Sequence, residues 1–218
     1  AQSNGIELVY WPVTPEGRLD IGLLEELLTN SVKLVAVTMV SNVLGSINPV
    51  EQITEIAHSH GVPVLVDSAQ AVSRMSTKVS ELDCDFLAFS GHKVYGPTGI
   101  GVLYAKKERL EEMLPFQGGG GMIRHVEKKS STWAVPPQKF EAGTPPIAQV
   151  SGLKAALEYL EKYGINEIER HDNKLTEHAL IQLTKFPDLE LYGPQEIQNR
   201  TGVVSFNIQN VHSHDVAQ

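Results

Sequence analysis

The chain has 218 residues, of which 41% are hydrophobic and 20% charged, and its formal net charge is −8. This is the composition of an ordinary globular protein, and it excludes a disordered, collagen-like or coiled-coil chain. Because 26 acidic residues outnumber 18 basic ones and no basic run occurs, we do not expect the chain to bind nucleic acid. The length allows one large α/β domain, or one domain and part of another.

Cysteine content and the opening residues indicate the compartment. The single cysteine, Cys84, excludes an intrachain disulfide framework and a cysteine-based zinc site. No apolar stretch approaches the length of a membrane span, and the polar start Ala1-Gln2-Ser3-Asn4-Gly5 lacks the basic region of a signal peptide. We therefore expect no membrane association and a cytoplasmic location, or an organelle if a targeting peptide has been removed.

Helical patterns and buried strands alternate in the first half of the chain. Short, continuous apolar strands separated by helices are typical of a mainly parallel sheet with helices on both faces. The sequence therefore predicts an α/β fold. Its predicted strands cover residues 34–40, 62–66, 85–89 and 101–105, and its predicted helices cover residues 21–28 and 50–60, where Gly61 should end the second helix.

The second half begins with a short charged helix over 106–114 and a Gly-rich segment up to residue 146. This segment is too long for a plain connection, and its aromatic residues favour an ordered, functional loop. Two helices, from residue 147 and over 166–185, and a late strand over 202–208 follow. We expect a large α/β domain over residues 1–145. Residues 146–218 should form a linking helix and the start of a smaller α+β domain.

Polar side chains follow three of the predicted strands directly. Ligands of open α/β sheets bind beyond the carboxyl ends of the strands, so these side chains should lie along one rim. They are Asn42 after the first strand, Asp67 and Gln70 after the second, and Ser90, His92 and Lys93 after the third.

An acid and a lysine at neighbouring strand ends suit one cofactor in particular. A lysine amine forms a Schiff base with an aldehyde cofactor, and pyridoxal phosphate is the commonest of these. Its ring nitrogen must stay protonated, and Asp67 can hold that proton, while Gln70 can donate to the ring oxygen. Singly, Asp67 is an ordinary helix cap and Lys93 an ordinary surface lysine. Their joint placement with Ser90 and His92, which suit a phosphate, favours the cofactor site.

Three segments resemble the pyridoxal-phosphate-dependent cysteine desulfurases. The similarity is closest to the group that mobilises sulfur for iron–sulfur clusters, which also contains selenocysteine lyases. Thr98, where the other desulfurase group usually has Lys, and the run Gly119-Gly120-Gly121-Met122-Ile123 favour this group. The resemblance implies a fold-type I transferase of the class V aminotransferase family. The segments are Val-Asp-Ser-Ala-Gln-Ala at 66–71, Phe-Ser-Gly-His-Lys-Val-Tyr-Gly-Pro-Thr-Gly-Ile-Gly at 89–101 and Phe-Glu-Ala-Gly-Thr-Pro at 140–145.

The resemblance also implies a role for each candidate residue. Lys93 would carry the cofactor and shuttle the proton at the substrate's α-carbon, and Asp67 would pair with the pyridinium. Asn42 would orient the substrate carboxylate. Thr144 would reach the phosphate of the neighbouring subunit's cofactor, which implies a homodimer. Gln70 would bond the ring hydroxyl, and Ser90 and His92 would bind the phosphate.

The implied reaction removes sulfur from L-cysteine, gives L-alanine and passes the sulfur to an acceptor protein. The family's N-terminal phosphate loop would precede Ala1, and its catalytic thiol would follow Gln218. We therefore expect a middle section of a longer enzyme that is inactive by itself. Cys84 precedes its strand, away from the rim, and is expected to be a buried structural cysteine. Selenocysteine lyase, aminotransferase, kynureninase and epimerase activities stay open as alternatives, as does a non-catalytic fragment.

Two histidine pairs are candidate metal ligands. His58 and His60 have i,i+2 spacing on a predicted helix, which directs their rings to different faces, so we expect a solvated surface. His212 and His214 lie on a predicted loop with no cysteine or further histidine nearby. The sequence therefore predicts no metal site.

Overall fold

The central feature is a four-stranded sheet whose strands lie in chain order. The computed structural model describes residues 5–218. Residues 1–4, which carry the prediction about a signal peptide, lie outside the described residues. The strands are β1 (Val35–Thr38), β2 (Val64–Asp67), β3 (Phe86–Ser90) and β4 (Gly101–Ala105). The first three are parallel and β4 is antiparallel to β3, which confirms the α/β fold with a mainly parallel sheet.

The helices of this first half are short except for one. The predicted helix over 21–28 is a 3₁₀ turn, Ile21–Leu23, followed by a single helical turn, α1 (Leu24–Leu27). Helix α2 (Val50–Ser59) matches its prediction, and Gly61 follows it with a φ of +71°. A positive φ suits glycine, which is why the helix ends there. The remaining helices are α3 (Val79–Leu82) and α4 (Lys107–Glu112).

The main core lies between the sheet and helices α1 and α2. Ile53 and Ala57 on α2 are fully buried against Val64 and Val66 of β2, and they belong to one cluster with Leu24 of α1. Burial of such side chains contributes roughly 1.5–3 kcal/mol each for the larger ones. A strand buried in this way must be apolar along its length, as β2 is until its last residue.

The long segment after α4 contains a hairpin that the sequence analysis missed. Strands β5 (Ile123–Val126) and β6 (Ser131–Trp133) pair antiparallel, and a 3₁₀ turn, Gln138–Phe140, follows. The side chains of Arg124, His125 and Val126 are exposed, so no alternation of apolar and polar residues revealed β5. The segment is therefore structured by backbone pairing.

Two long helices lead into the last part of the chain. Helix α5 (Ile147–Tyr163) packs through Leu153 and Leu160 on Val94, which follows β3, and Gly164 separates it from α6 (Ile165–Leu183). The predicted late strand is β8 (Ser205–Ile208), which pairs antiparallel with β7 (Leu189–Tyr192), a strand that was not predicted. Helix α7 (Ser213–Val216) ends the described chain. Within residues 5–218, no helix combines the length and apolarity needed to cross a membrane.

Candidate functional site

The register of the sheet sets which candidate residues share a rim. Asp67, the last residue of β2, is paired with Thr38 of β1 on one side and Ala88 of β3 on the other. β3 continues for two residues beyond Ala88 and ends at Ser90. Asn42 lies in the turn that begins four residues after Thr38. The structure thus brings the exits of three parallel strands to one edge of the sheet.

Asp67 occupies the middle of this rim and is exposed, although Val66 before it is fully buried. Its Oδ1 accepts a hydrogen bond from the backbone N–H of Ala69 at 2.9 Å. This bond caps the turn over residues 69–74, and the next helix, α3, begins only at Val79, so the interpretation of Asp67 as a helix cap is wrong. Oδ2 has no hydrogen-bond partner within residues 5–218, so it is available to a ligand beyond the rim.

Lys93 lies in a tight turn that the glycines of its motif make possible. The 3₁₀ turn Gly91–Val94 follows β3, and the N–H of Gly91 donates to the carbonyl of Ile100 at 2.9 Å. A Cβ on Gly91 would lie 2.7 Å from the side chain of Ile100, and one on Gly96 would lie 2.8 Å from the Gly91 carbonyl. Only glycine fits these close approaches, which explains why the glycines accompany the lysine.

The end of β3 and the turn that follows it contribute three polar residues to the same rim. Ser90 and Lys93 are half-buried and His92 is exposed. In the part of the chain that the structure describes, none of the three side chains forms a hydrogen bond or an ion pair. Gln70, half-buried beyond Asp67, and the exposed Asn42 likewise form none there. The rim is a set of polar groups with open hydrogen-bonding capacity.

Thr144 is the one candidate that does not follow a strand of the sheet, because it lies in the long segment between α4 and α5. It is exposed and lies just before α5. The N–H of the adjacent Gly143 donates to the carbonyl of Gly120 at 2.8 Å, so the glycine run supports this loop. A residue that serves a neighbouring subunit is expected to be exposed in a single chain, as Thr144 is.

Cys84 lies at the opposite end of the sheet, as the sequence predicts. It is fully buried in the main core, two residues before β3 begins, and burial raises the pKa of its thiol. Six residues of extended chain separate it from Ser90, or roughly 20 Å. Cys84 is therefore a structural cysteine.

The prediction for His58 was wrong. Its ring is half-buried, with Nε2 2.8 Å from Asp85 Oδ2 and Nδ1 3.5 Å from Asp83 Oδ2. The i,i+2 spacing relates His58 only to His60, whereas the partners of His58 are the acids that precede β3. His60 is exposed, as expected. Within residues 5–218, no group of three or more His, Cys, Asp or Glu side chains is arranged to hold a metal ion.

Asp85 lies at the centre of a cluster of charged side chains with His58 and Arg109, and it was not predicted from the sequence. Its side chain is 2% exposed, and it accepts hydrogen bonds from the Val64 N–H at 2.8 Å and from Arg109 Nε at 2.8 Å. Burial alone would raise the pKa of this carboxyl, but the bonds from His58, Val64 and Arg109 outweigh burial and lower it. A charged residue at the start of an apolar strand was the available signal, because buried acids need partners.

Comparison with known proteins identifies the family to which this chain belongs. The model of the aminotransferase class-V family matches residues 1–218. The chain belongs to the class-V aminotransferase family. Enzymes of this family depend on pyridoxal phosphate.

Two relatives with high sequence identity to this chain are named as cysteine desulfurases. A probable cysteine desulfurase of Halalkalibacterium halodurans is 50% identical over 217 residues, covering 100% of this chain and 53% of the relative. A cysteine desulfurase of Dickeya dadantii is 49% identical, covering 99% and 52%. The crystal structure of the cysteine desulfurase CsdA from Escherichia coli has a TM-score of 0.91 at 41% identity, covering 98% of this chain and 53% of that one. This class-V chain therefore spans about half the length of the relatives it matches.

Proposed function

We propose that the protein carrying this chain is a cysteine desulfurase. In the proposed reaction, L-cysteine and an enzyme thiol give L-alanine and an enzyme persulfide. The carbon–sulfur bond of the substrate breaks, the sulfur joins the thiol sulfur, and the carbon that loses it is protonated. Relatives named cysteine desulfurase, at 50% and 49% identity, favour this reaction over those of an aminotransferase, a kynureninase or an epimerase.

The observation that carries the proposal is the position of Asp67 and Lys93 at the exits of two hydrogen-bonded parallel strands. Asp67 ends β2, and Lys93 follows β3 in the tight turn. Asp67 Oδ2 and Lys93 Nζ have no hydrogen-bond partner in the described residues. At the other end of the sheet, by contrast, Lys106 is paired with Asp83.

These residues fit pyridoxal phosphate by the chemistry of their donors and acceptors. The cofactor, when bound, supplies an electron sink for the substrate's α-carbon. Lys93 would hold it through its amine and would move the proton at the substrate's α-carbon. The carboxylate of Asp67 holds the proton on the ring nitrogen, and its second bond, from Ala69, fixes its orientation.

The remaining candidates bind and orient. Gln70 donates to the ring oxygen, and Ser90 and His92 bind the phosphate. Asn42 orients the substrate carboxylate from the exit of β1. Thr144 binds the phosphate of the neighbouring subunit's cofactor, so the proposed active unit is a homodimer.

Cys84 is not the sulfur-accepting thiol of the proposed reaction. It is buried, its thiol pKa is raised, and it lies at the end of the sheet away from Lys93. Since the sequence has no other cysteine, residues 1–218 cannot carry out desulfuration by themselves. A thiol from outside these residues must take the sulfur and deliver it to an acceptor protein for iron–sulfur clusters, in a cytoplasmic setting.

The test is a product analysis on the full-length gene product with L-cysteine. We expect L-alanine and transferable sulfur in a 1:1 ratio, which is the stoichiometry of the balanced reaction. A keto acid in place of alanine would show a transamination or a β-elimination, and either would refute the proposal. The matched control is Lys106→Met, which removes a lysine from the other end of the sheet and should leave the product ratio unchanged.

A further inference from the structure

Arg200 is buried in a way that requires an explanation. Its side chain is 0% exposed, yet no carboxylate within residues 5–218 pairs with it. Its Nη1 donates to the Pro194 carbonyl at 2.6 Å and its Nη2 to the Val203 carbonyl at 2.6 Å. Burying a guanidinium whose only partners are carbonyl groups costs free energy of folding. Stability alone therefore does not explain an arginine at this position.

The third acceptor of Arg200 belongs to the strand-exit rim. Nη2 also donates to the carbonyl of Leu44, at 3.5 Å, across 156 residues of sequence. Two further bonds reach the same turn from the same region. The N–H of Thr201 donates to the Gly45 carbonyl at 2.8 Å, and the hydroxyl of Ser205 donates to the Val43 carbonyl. We call residues 193–205 the clamp.

The clamp therefore holds three consecutive carbonyls, those of residues 43, 44 and 45, which directly follow Asn42. The turn is fixed from inside as well, because Ser41 Oγ accepts from the N–H groups of Val43 and Leu44 at 3.2 and 3.0 Å. Contact with the clamp is close. A Cβ on Gly45 would lie 2.7 Å from the Val203 carbonyl. Asn42 itself stays exposed at the edge of this fixed turn.

The same clamp is linked to the exit of β2. The N–H of Gly202 donates to Asp172 Oδ2 at 3.0 Å, and Arg74 Nη1 donates to both carboxylate oxygens of Asp172 at 3.3 Å. Arg74 lies four residues beyond Gln70. Two of the three strand exits are thus held against one segment of the last part of the chain.

We infer that Arg200 is a positioning residue for the substrate carboxylate, acting through the turn that carries Asn42. This inference rests on the proposed function, in which Asn42 orients that carboxylate. Lysine cannot replace the planar fork that spans the Pro194, Val203 and Leu44 carbonyls, so Arg200→Lys should loosen the turn while keeping the charge. The expected defect is in substrate binding, because Lys93 and Asp67 lie on other strand exits.

The test compares Arg200→Lys, Asn42→Ala and the double variant in the full-length protein loaded with pyridoxal phosphate. We expect Arg200→Lys to raise KM for L-cysteine about tenfold, or about 1.4 kcal/mol, with kcat within about twofold and cofactor absorbance unchanged. The double variant should raise KM no more than Asn42→Ala alone, since both changes act on one interaction. Arg170→Lys, on the exposed surface of α6, is the matched control.

Hydrogen exchange gives a readout that does not depend on activity. Arg200→Lys should speed exchange in the peptide that covers residues 41–47, which includes the Ile47 N–H bonded to the Asn199 carbonyl at 2.9 Å. If Arg200→Lys does not fold, Ser205→Ala decides by the same measurements, with a smaller rise in KM. A lowered Tm with unchanged KM, unchanged exchange, or a double variant whose KM effects multiply would overturn the inference. Failure of the proposed function would instead appear in the parent protein, as absent alanine formation, and the exchange result would still decide whether the clamp holds the turn.

Discussion

The two ends of the central sheet differ in whether their charged side chains are paired with each other. At the amino end, Asp85 is buried and bonded to His58, Arg109 and the Val64 N–H. At the carboxyl end, one carboxylate oxygen of Asp67 accepts a hydrogen bond from the Ala69 N–H. Lys93 has no hydrogen-bond or ion-pair partner in residues 5–218. The same sheet thus contains one cluster whose charges satisfy each other and one whose charges stay available. The first arrangement stabilises the fold, and we propose that the second binds a ligand.

Lys93→Ala should have the largest effect on activity and almost none on folding. Because Lys93 forms no hydrogen bond or ion pair with the described residues, its loss should change the free energy of unfolding by less than about 1 kcal/mol. Turnover of the full-length enzyme should fall by about 10⁴-fold or more, as when a covalent catalytic group is removed. Steady-state kinetics and urea unfolding measure the two quantities. Lys106→Met removes a surface ion pair, so it should change the free energy of unfolding by no more than about 1 kcal/mol and leave turnover unchanged. A large loss of turnover in that control would contradict the comparison.

Asp67→Asn separates the electrostatic role of this residue from its capping role. The amide oxygen can still accept from the Ala69 N–H, so Tm should stay within a few degrees of the parent. A neutral amide does not hold the proton of a pyridinium, so turnover should fall by about 10²–10³-fold. Near-normal turnover would show that Asp67 serves only as a cap.

Asp85→Asn should affect stability without affecting chemistry. Asparagine removes the buried negative charge and replaces one of the two acceptor oxygens by an NH2 group, so either Arg109 or His58 loses its acceptor, which costs about 3–5 kcal/mol. The matched control is Asp83→Asn, since the Asp83 side chain is 66% exposed and surface pairs contribute about 0–1 kcal/mol. Both are measured by urea unfolding. Equal losses in the two variants would contradict the structural role assigned to Asp85.

The amino-end cluster also predicts how stability depends on pH. Burial opposes ionisation of Asp85, but its hydrogen bonds lower its pKa, and a bond from Lys106 lowers the pKa of Asp83. A lowered folded-state pKa stabilises the fold above the unfolded value, about 3.9, and this contribution is lost as the pH falls through the folded value. The urea concentration at the midpoint of unfolding, measured from pH 7 to pH 3, should therefore decrease once the pH is below about 4. The drop should be smaller in Asp85→Asn, and an equal drop would remove Asp85 as its source.

The sequence predicted what depends on local pattern. Gly61 ends α2 because a glycine suits its positive φ, and the apolar run over 85–89 predicted the strand whose exit carries Lys93. β7 was missed although Leu189 and Leu191 alternate with Glu190, because the run is only four residues long. The single α-helical turn of α1 was predicted too long, since apolar spacing does not distinguish 3₁₀ from α-helical turns.

Contacts between distant segments could not be predicted in this way. His58 binds an acid 27 residues away, and Arg200 binds a carbonyl 156 residues away. The partners of Arg200 are backbone atoms, which every residue has, so no side-chain pattern marks them. Asp85 did carry a signal, as a charge beside an apolar strand, because a buried carboxylate needs partners from other elements.

The most direct test of the account is to find which lysine holds the cofactor. The full-length protein is loaded with pyridoxal phosphate, reduced with borohydride, digested and mapped by mass spectrometry. We expect the phosphopyridoxyl mass on Lys93, at the carboxyl end of the sheet, and its loss in Lys93→Ala. Stoichiometric label on Lys106, at the amino end, or on any other lysine would contradict the assignment of the two ends.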